Sequence, residues 1–186
     1  MRAAKDPLLS STLLKLAIPL ATIAAVLFFL RRRGLSARHE LGLDAPRAAP
    51  AALWIAAWIG WMALTEWAIV AWGLDQAKPW PAYPPHIVAL RVAAIGLAGP
   101  AAEEVVFRGL AIGRLRRTRL GTRGAVVLAA LGWAAVHVRY GPATMAQIAA
   151  DGLLLGAARV MTGSLYVPIA MHALGNLLSI WQSTHP

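Results

Sequence analysis

Three short patterns supply side chains that can activate water and hold developing negative charge. They are Glu103-Glu104-Val105-Val106-Phe107-Arg108, Trp133 followed four residues later by His137, and His172 followed four residues later by Asn176. Neighbours on a helix point about 100° apart, so the two glutamates cannot do the same job. Glu104 and Arg108 stand at i and i+4, where they pair on one face, and pairing keeps a buried Glu104 ionised. Glu103 points elsewhere, with no cation on its own stripe, as suits a general base. His172 and Asn176 share a face, and each can donate a hydrogen bond to a developing oxyanion. The bland alternatives are solvated glutamates at a helix end, a hydrogen-bonded His137, and interhelical hydrogen bonds from His172 and Asn176. Taken together, Glu103, His137 and His172 on three separate apolar helices, with Asn176, match what water attack on a carbonyl requires.

The elements that must position these groups read as membrane helices. The chain has 186 residues, 59% hydrophobic and 14% charged, with a mean hydropathy of +0.59. Soluble domains run about 45–50% apolar and about 25% charged, so a soluble cytosolic protein is disfavoured and a disordered chain excluded. With no cysteine, disulfides, thiolate zinc sites and thiol nucleophiles are excluded. Apolar runs predict spans over Leu8–Leu30, Ala48–Leu74, His86–Leu115, Gly124–Val138, Ala143–Met161 and Leu165–Trp181. The first ends on Arg31-Arg32-Arg33 with no cleavage site, as an uncleaved anchor does. The proline-rich Lys78–Pro85 stretch is a loop. The expectation is an all-α, polytopic integral membrane protein of about six transmembrane helices around an intramembrane polar cavity. One membrane domain covers 1–186, with 1–85 supplying two spans and a loop and 86–186 a four-helix catalytic core. The tryptophans of the second span read as interface anchors and packing.

The formal charge of +10 follows the same plan. Eleven arginines fall on one side: Arg31, Arg32, Arg33, Arg38 and Arg47, then Arg114, Arg116, Arg117, Arg119 and Arg123, then Arg159. Arg2, Lys5, Lys78 and Arg139 fall on the other, while Lys15, Arg91 and Arg108 lie inside spans. The positive-inside rule puts loops 31–47 and 114–123 in the cytoplasm and both termini outside it. That accounts for the basic balance without nucleic acid. Glu66 and Asp151 are intramembrane carboxylates without a role, and a structural one is expected, Asp151 pairing with Arg91 or lining the cavity.

The patterns E-E-x-x-x-R, aromatic-x-x-x-H and H-x-x-x-N, in this order on separate membrane helices, resemble the CAAX-protease-and-bacteriocin-processing (CPBP, or Abi) family, whose prototype is the type II CAAX prenyl endopeptidase. Pro100, Phe107 and Gly109 around the glutamates fit as well, and the match covers about residues 95–180. Trp133 departs from it, standing where the family usually has Phe. The resemblance implies that Glu103 and His137 orient and deprotonate water, that His172 and Asn176 stabilise the oxyanion, and that Glu104 and Arg108 hold the first motif in place. The family has been described both as metalloproteases and as metal-independent glutamate-type enzymes. Glu103, His137 and His172 could form a His₂Glu zinc site, but no H-E-x-x-H is present, since His39-Glu40 lacks a second histidine. The metal-free reading is favoured, with zinc as the alternative. There is neither a G-x-S-G nor a G-x-G-D motif of other intramembrane proteases. The expected activity is intramembrane endopeptidase cleavage of a membrane-associated protein near a hydrophobic or lipidated C-terminus. The alanine- and arginine-rich composition suggests a bacterial inner membrane, where sorting-signal or bacteriocin processing is as fitting as prenyl-protein maturation. The rival readings are a transporter using the same residues as a proton relay, disfavoured for want of an inverted repeat, and a non-catalytic membrane scaffold.

Overall fold

The computed structural model describes residues 7–73 and 79–185. Helix α1 is Pro7–Arg32, α2 is the short Ala37–Leu41 and α3 is Ala48–Ala71. Helix α4 is Pro85–Leu115, α5 Gly121–Ala135, α6 Pro142–Thr162 and α7 Tyr166–Thr184. Among the described residues there is no strand. Pro85 and Pro142 stand in the first turns of α4 and α6, where a missing N–H costs nothing. Gly42 and Gly163 end α2 and α6 with φ of 72° and 70°, a conformation open to glycine at no steric cost.

Burial is inverted relative to a soluble protein. Only 11% of the apolar stretch of α1 and 6% of that of α3 is buried, and Leu14, Ile18, Phe28, Leu53 and Val70 face outward. Glu104, Arg108 and His172 are enclosed instead. Apolar outside and ionisable inside is the pattern lipid imposes, because only interior cavities and partners lower the cost of a charge. The protein is an integral membrane protein. Helices α1, α3 and α4 are each long and apolar enough to cross a bilayer. Helices α5, α6 and α7, like the short α2, do not meet that standard. Helix α5 has 15 residues, about 22 Å against a hydrocarbon core of about 30 Å. Helices α6 and α7 carry Asp151, Arg159, His172 and Asn176.

Several element ends differ from the hydropathy reading. Helix α3 stops at Ala71, and its expected last residue, Leu74, lies outside the described residues, as do Arg2, Lys5 and Lys78. Helix α5 closes at Ala135, so His137 sits just past it, before a 3₁₀ turn over Val138–Tyr140. Hydropathy could not see that stop, because Val136 and Val138 continue the apolar run.

The basic connectors meet at one end. Glu40 of α2 pairs with Arg117 at 3.2 Å and Arg114 at 3.4 Å. Arg159 Nη2 donates to Leu41 O at 3.1 Å, Ser164 Oγ to Asp44 O at 2.6 Å and Leu165 N to Gly42 O at 2.8 Å. At the opposite end Trp80 N donates to Ser183 O at 2.8 Å, tying the proline-rich segment to the end of α7. The tryptophans of α3 and of its C-cap divide between core and surface. Trp54, Trp58 and Trp61 pack inward, while Trp67 and Trp72 are exposed.

Candidate active site

Helix α4 carries both glutamates, and it is not a regular α-helix. Val92–Ala98 and Val105–Ala111 are π-helical, a wide turn that is rare and frequent at functional sites. Pro100 explains the first. It has no N–H for Gly96 O, and Gly99 N reaches back to Ala94 O. Ile95 O is therefore passed over by Gly99, and its i+5 partner would be Pro100. Asn176 Nδ2 donates to Ile95 O at 2.8 Å, so α7 satisfies the carbonyl that α4 releases. One N–H of Asn176 is thus committed to the backbone and one remains.

Glu104 and Arg108 are completely enclosed and paired at 2.9 Å, Arg108 Nη1 donating to Glu104 Oε1. The same oxygen accepts from His172 Nδ1 at 2.9 Å. Arg108 Nη2 donates to Gly152 O of α6 at 3.3 Å, and its guanidinium lies 4.4 Å from the centroid of the Trp133 indole. One ion pair therefore joins α4, α5, α6 and α7. Gly152 permits this closeness. A Cβ there would stand 3.0 Å from the Ala130 backbone and 3.2 Å from Trp133.

Trp133 is the residue whose role the sequence reading missed. Its Nε1 donates to Glu103 Oε2. Its ring meets His137 edge-on at 5.4 Å and His172 at 5.0 Å. Glu103 is therefore without a cation, as its stripe predicts, but not without a partner. The usable signal was Trp133 itself, because an indole N–H is a donor that phenylalanine lacks.

The two histidines are fixed in tautomer by what they touch. Trp133 O and Glu104 Oε1 only accept, so Nδ1 is the donor in both rings, at 2.8 Å for His137 and 2.9 Å for His172. Each Nε2 is left available. On His137 that nitrogen carries a lone pair. On His172 an Nε2–H is present only in the doubly protonated ring.

Glu103, His137, His172 and Asn176 all line a single cavity of about 740 Å³. Lys15, Glu66, Trp80, Tyr140 and Ser183 also line it, so it extends toward the end opposite the basic connectors. Glu66 accepts from Gln182 Nε2 at 2.8 Å. Asp151 lines the cavity but does not pair with Arg91, which lies instead over Tyr83 and Trp80 at 4.4 and 5.4 Å. Trp61 and Gln147 hold Asp151, because α3 and its own helix bring neutral donors to it. A metal would have to be held by Glu103, His137 and His172. Among the described residues no three His, Asp or Glu side chains converge as a metal-binding set.

A family model described as Type II CAAX prenyl endopeptidase Rce1-like matches residues 85–178, from the start of α4 into α7. No curated protein and no solved structure matches the chain.

Proposed function

The chain belongs to the type II CAAX prenyl endopeptidase Rce1-like family, and on that premise we propose that Glu103 and His137 activate the water that cleaves its substrate. The family makes the chain a CAAX-protease-like intramembrane endopeptidase. The observation that supports the assignment of roles is the shared cavity. Two acceptors, the free oxygen of Glu103 and Nε2 of His137, open into the same space as His172 and Asn176. Water attacks the peptide carbonyl as Glu103 or His137 takes its proton. The oxyanion is held by His172 and the second N–H of Asn176. The proton then passes to the leaving amine. Arg108 and Glu104 touch no substrate and hold His172 and Trp133 in place.

The substrate class in this reading is a membrane-associated protein cleaved near a hydrophobic or lipidated C-terminus, in a bacterial inner membrane. Prenyl-protein, sorting-signal and bacteriocin maturation all fit. All six long helices belong to the membrane bundle, the short α5 burying Ala125, Ala129, Ala130 and Trp133 and turning Val127, Leu128 and Leu131 outward. The positive-inside rule places the arginine end in the cytoplasm and the cavity mouth on the other face.

Proteolysis of a membrane-anchored reporter in proteoliposomes tests this. Glu103→Gln should abolish cleavage while extraction and melting stay as in the wild type. Glu104→Gln should lose both, since an unpaired buried Arg108 costs about 3–5 kcal/mol. Activity should survive exhaustive chelation. Wild-type turnover by Glu103→Gln would end the general-base assignment. One equivalent of bound zinc, lost in His172→Ala, would replace the metal-free mechanism.

A further inference from the structure

Asp151 takes no part in the mechanism above, yet it lines the same cavity as Glu103, His137 and His172. Its Oδ1 accepts from Trp61 Nε1 of α3 at 2.7 Å and from Gln147 Nε2, one turn back on α6, at 3.2 Å. Both donors take the same oxygen. Oδ2 accepts no hydrogen bond and is not sealed in the interior, unlike Glu104 Oε2. It is open to the cavity. Among the described residues no cation forms an ion pair with this carboxylate; Lys15 shares the cavity wall, and Arg108 and His172 act on it only at longer range. Arg108 is committed to Glu104 and Gly152 O, and Arg91 to two aromatic rings.

An ionisable group among apolar helices marks a pathway or requires a counter-charge. Here two neutral donors from different helices aim the carboxylate without neutralising it. Glu66 adds a second cavity carboxylate held by a neutral amide. A carboxylate only accepts, and its strong partners are charged donors. We propose that Asp151 is a specificity subsite that receives the cationic head of a substrate lysine or arginine close to the scissile bond. Trp61 and Ile148, both on the cavity wall, lie along the aliphatic stem of that side chain.

The subsite rests on the protease reading, and the test separates the two. Hydrophobic synthetic peptides carry lysine or its uncharged isostere norleucine at each position in turn across the cleaved bond. They are offered to the full-length protein in proteoliposomes. At one position the wild type should prefer lysine by about 10- to 100-fold in kcat/KM, the worth of a charged hydrogen bond. The preference should lie in KM, since the contact is made equally in ground and transition states. Asp151→Asn keeps an acceptor for Trp61 and Gln147 and removes only the charge, so it should bring that ratio near one. Asp151→Glu should retain it in part. Tryptophan fluorescence titration of Glu103→Gln with the same peptide pair reads the subsite without cleavage. The Glu103→Gln/Asp151→Asn protein should lose the difference in Kd. Cleavage with no lysine preference, or with a preference that survives Asp151→Asn, overturns the subsite alone. Asp151-dependent binding with no cleavage of any peptide overturns the protease reading and leaves the subsite standing.

Discussion

Trp133 is where the indole of one side chain organises four others. It donates to Glu103, stacks edge-on against both histidines and lies under Arg108. Phenylalanine would keep the ring contacts and remove the donor. A hydrogen bond to a charged group is worth roughly 1.5–3 kcal/mol, and here it fixes the direction of the proposed base. Trp133→Phe is therefore expected to lower kcat about tenfold or more, with KM close to wild type and a melting temperature lower by only a few degrees. Steady-state kinetics with a thermal melt in detergent check this. An unchanged kcat would show that the N–H does not position Glu103. Sequence spacing predicted the Glu104–Arg108 pair correctly, because i and i+4 contacts are set by the helix alone. It left Glu103 unpartnered because its donor comes from another helix, 30 residues on.

At the scale of elements, α4 and α7 are coupled through one irregular turn. Pro100 interrupts the ladder, and Asn176 satisfies Ile95 O. Asn176→Ala leaves that carbonyl unpaired, at a cost of about 1–3 kcal/mol in stability. It also removes an oxyanion donor, worth on the order of 10²–10³ in kcat. The two effects separate in a double variant. Pro100→Ala restores an N–H, so that Gly99 N can return to Ile95 O and the stability loss of Asn176→Ala should shrink. The loss of kcat should remain. Melting temperature and single-turnover rate, measured on all four proteins, check this. If both parameters recover together, Asn176 acts only as a brace. Hydropathy located α4 to within one residue but not its π-turns, which arise where helix ladder, proline and a neighbouring amide compete.

For the whole molecule, the arginines and the cavity define opposite ends. Glu40, Arg114, Arg117 and Arg159 draw the basic connectors together. Lys15, Tyr140 and Ser183 line the cavity toward the far end. With the arginine end cytoplasmic, a membrane-impermeant thiol reagent should label Thr184→Cys in intact cells and leave Thr122→Cys unlabelled until the membrane is opened. Both tests are clean because the native chain has no cysteine. Labelling at 122 alone would reverse the orientation and put the cavity mouth in the cytoplasm.

Composition alone determined that this chain lives in lipid, since 59% hydrophobic residues cannot all be covered by a chain of this length. Local spacing determined the buried Glu104–Arg108 pair and the shared face of His172 and Asn176, because helical geometry fixes neighbours three and four apart. Charge placement determined which connectors share an end. What the tertiary structure decided is everything that depends on contacts between helices. Trp133 meets Glu103, Trp61 meets Asp151, Gly152 O meets Arg108, and His172 takes the tautomer Glu104 imposes. These partners lie 30 to 90 residues apart. No periodicity links such positions. Only the packing of α3, α4, α5, α6 and α7 against one another brings them together.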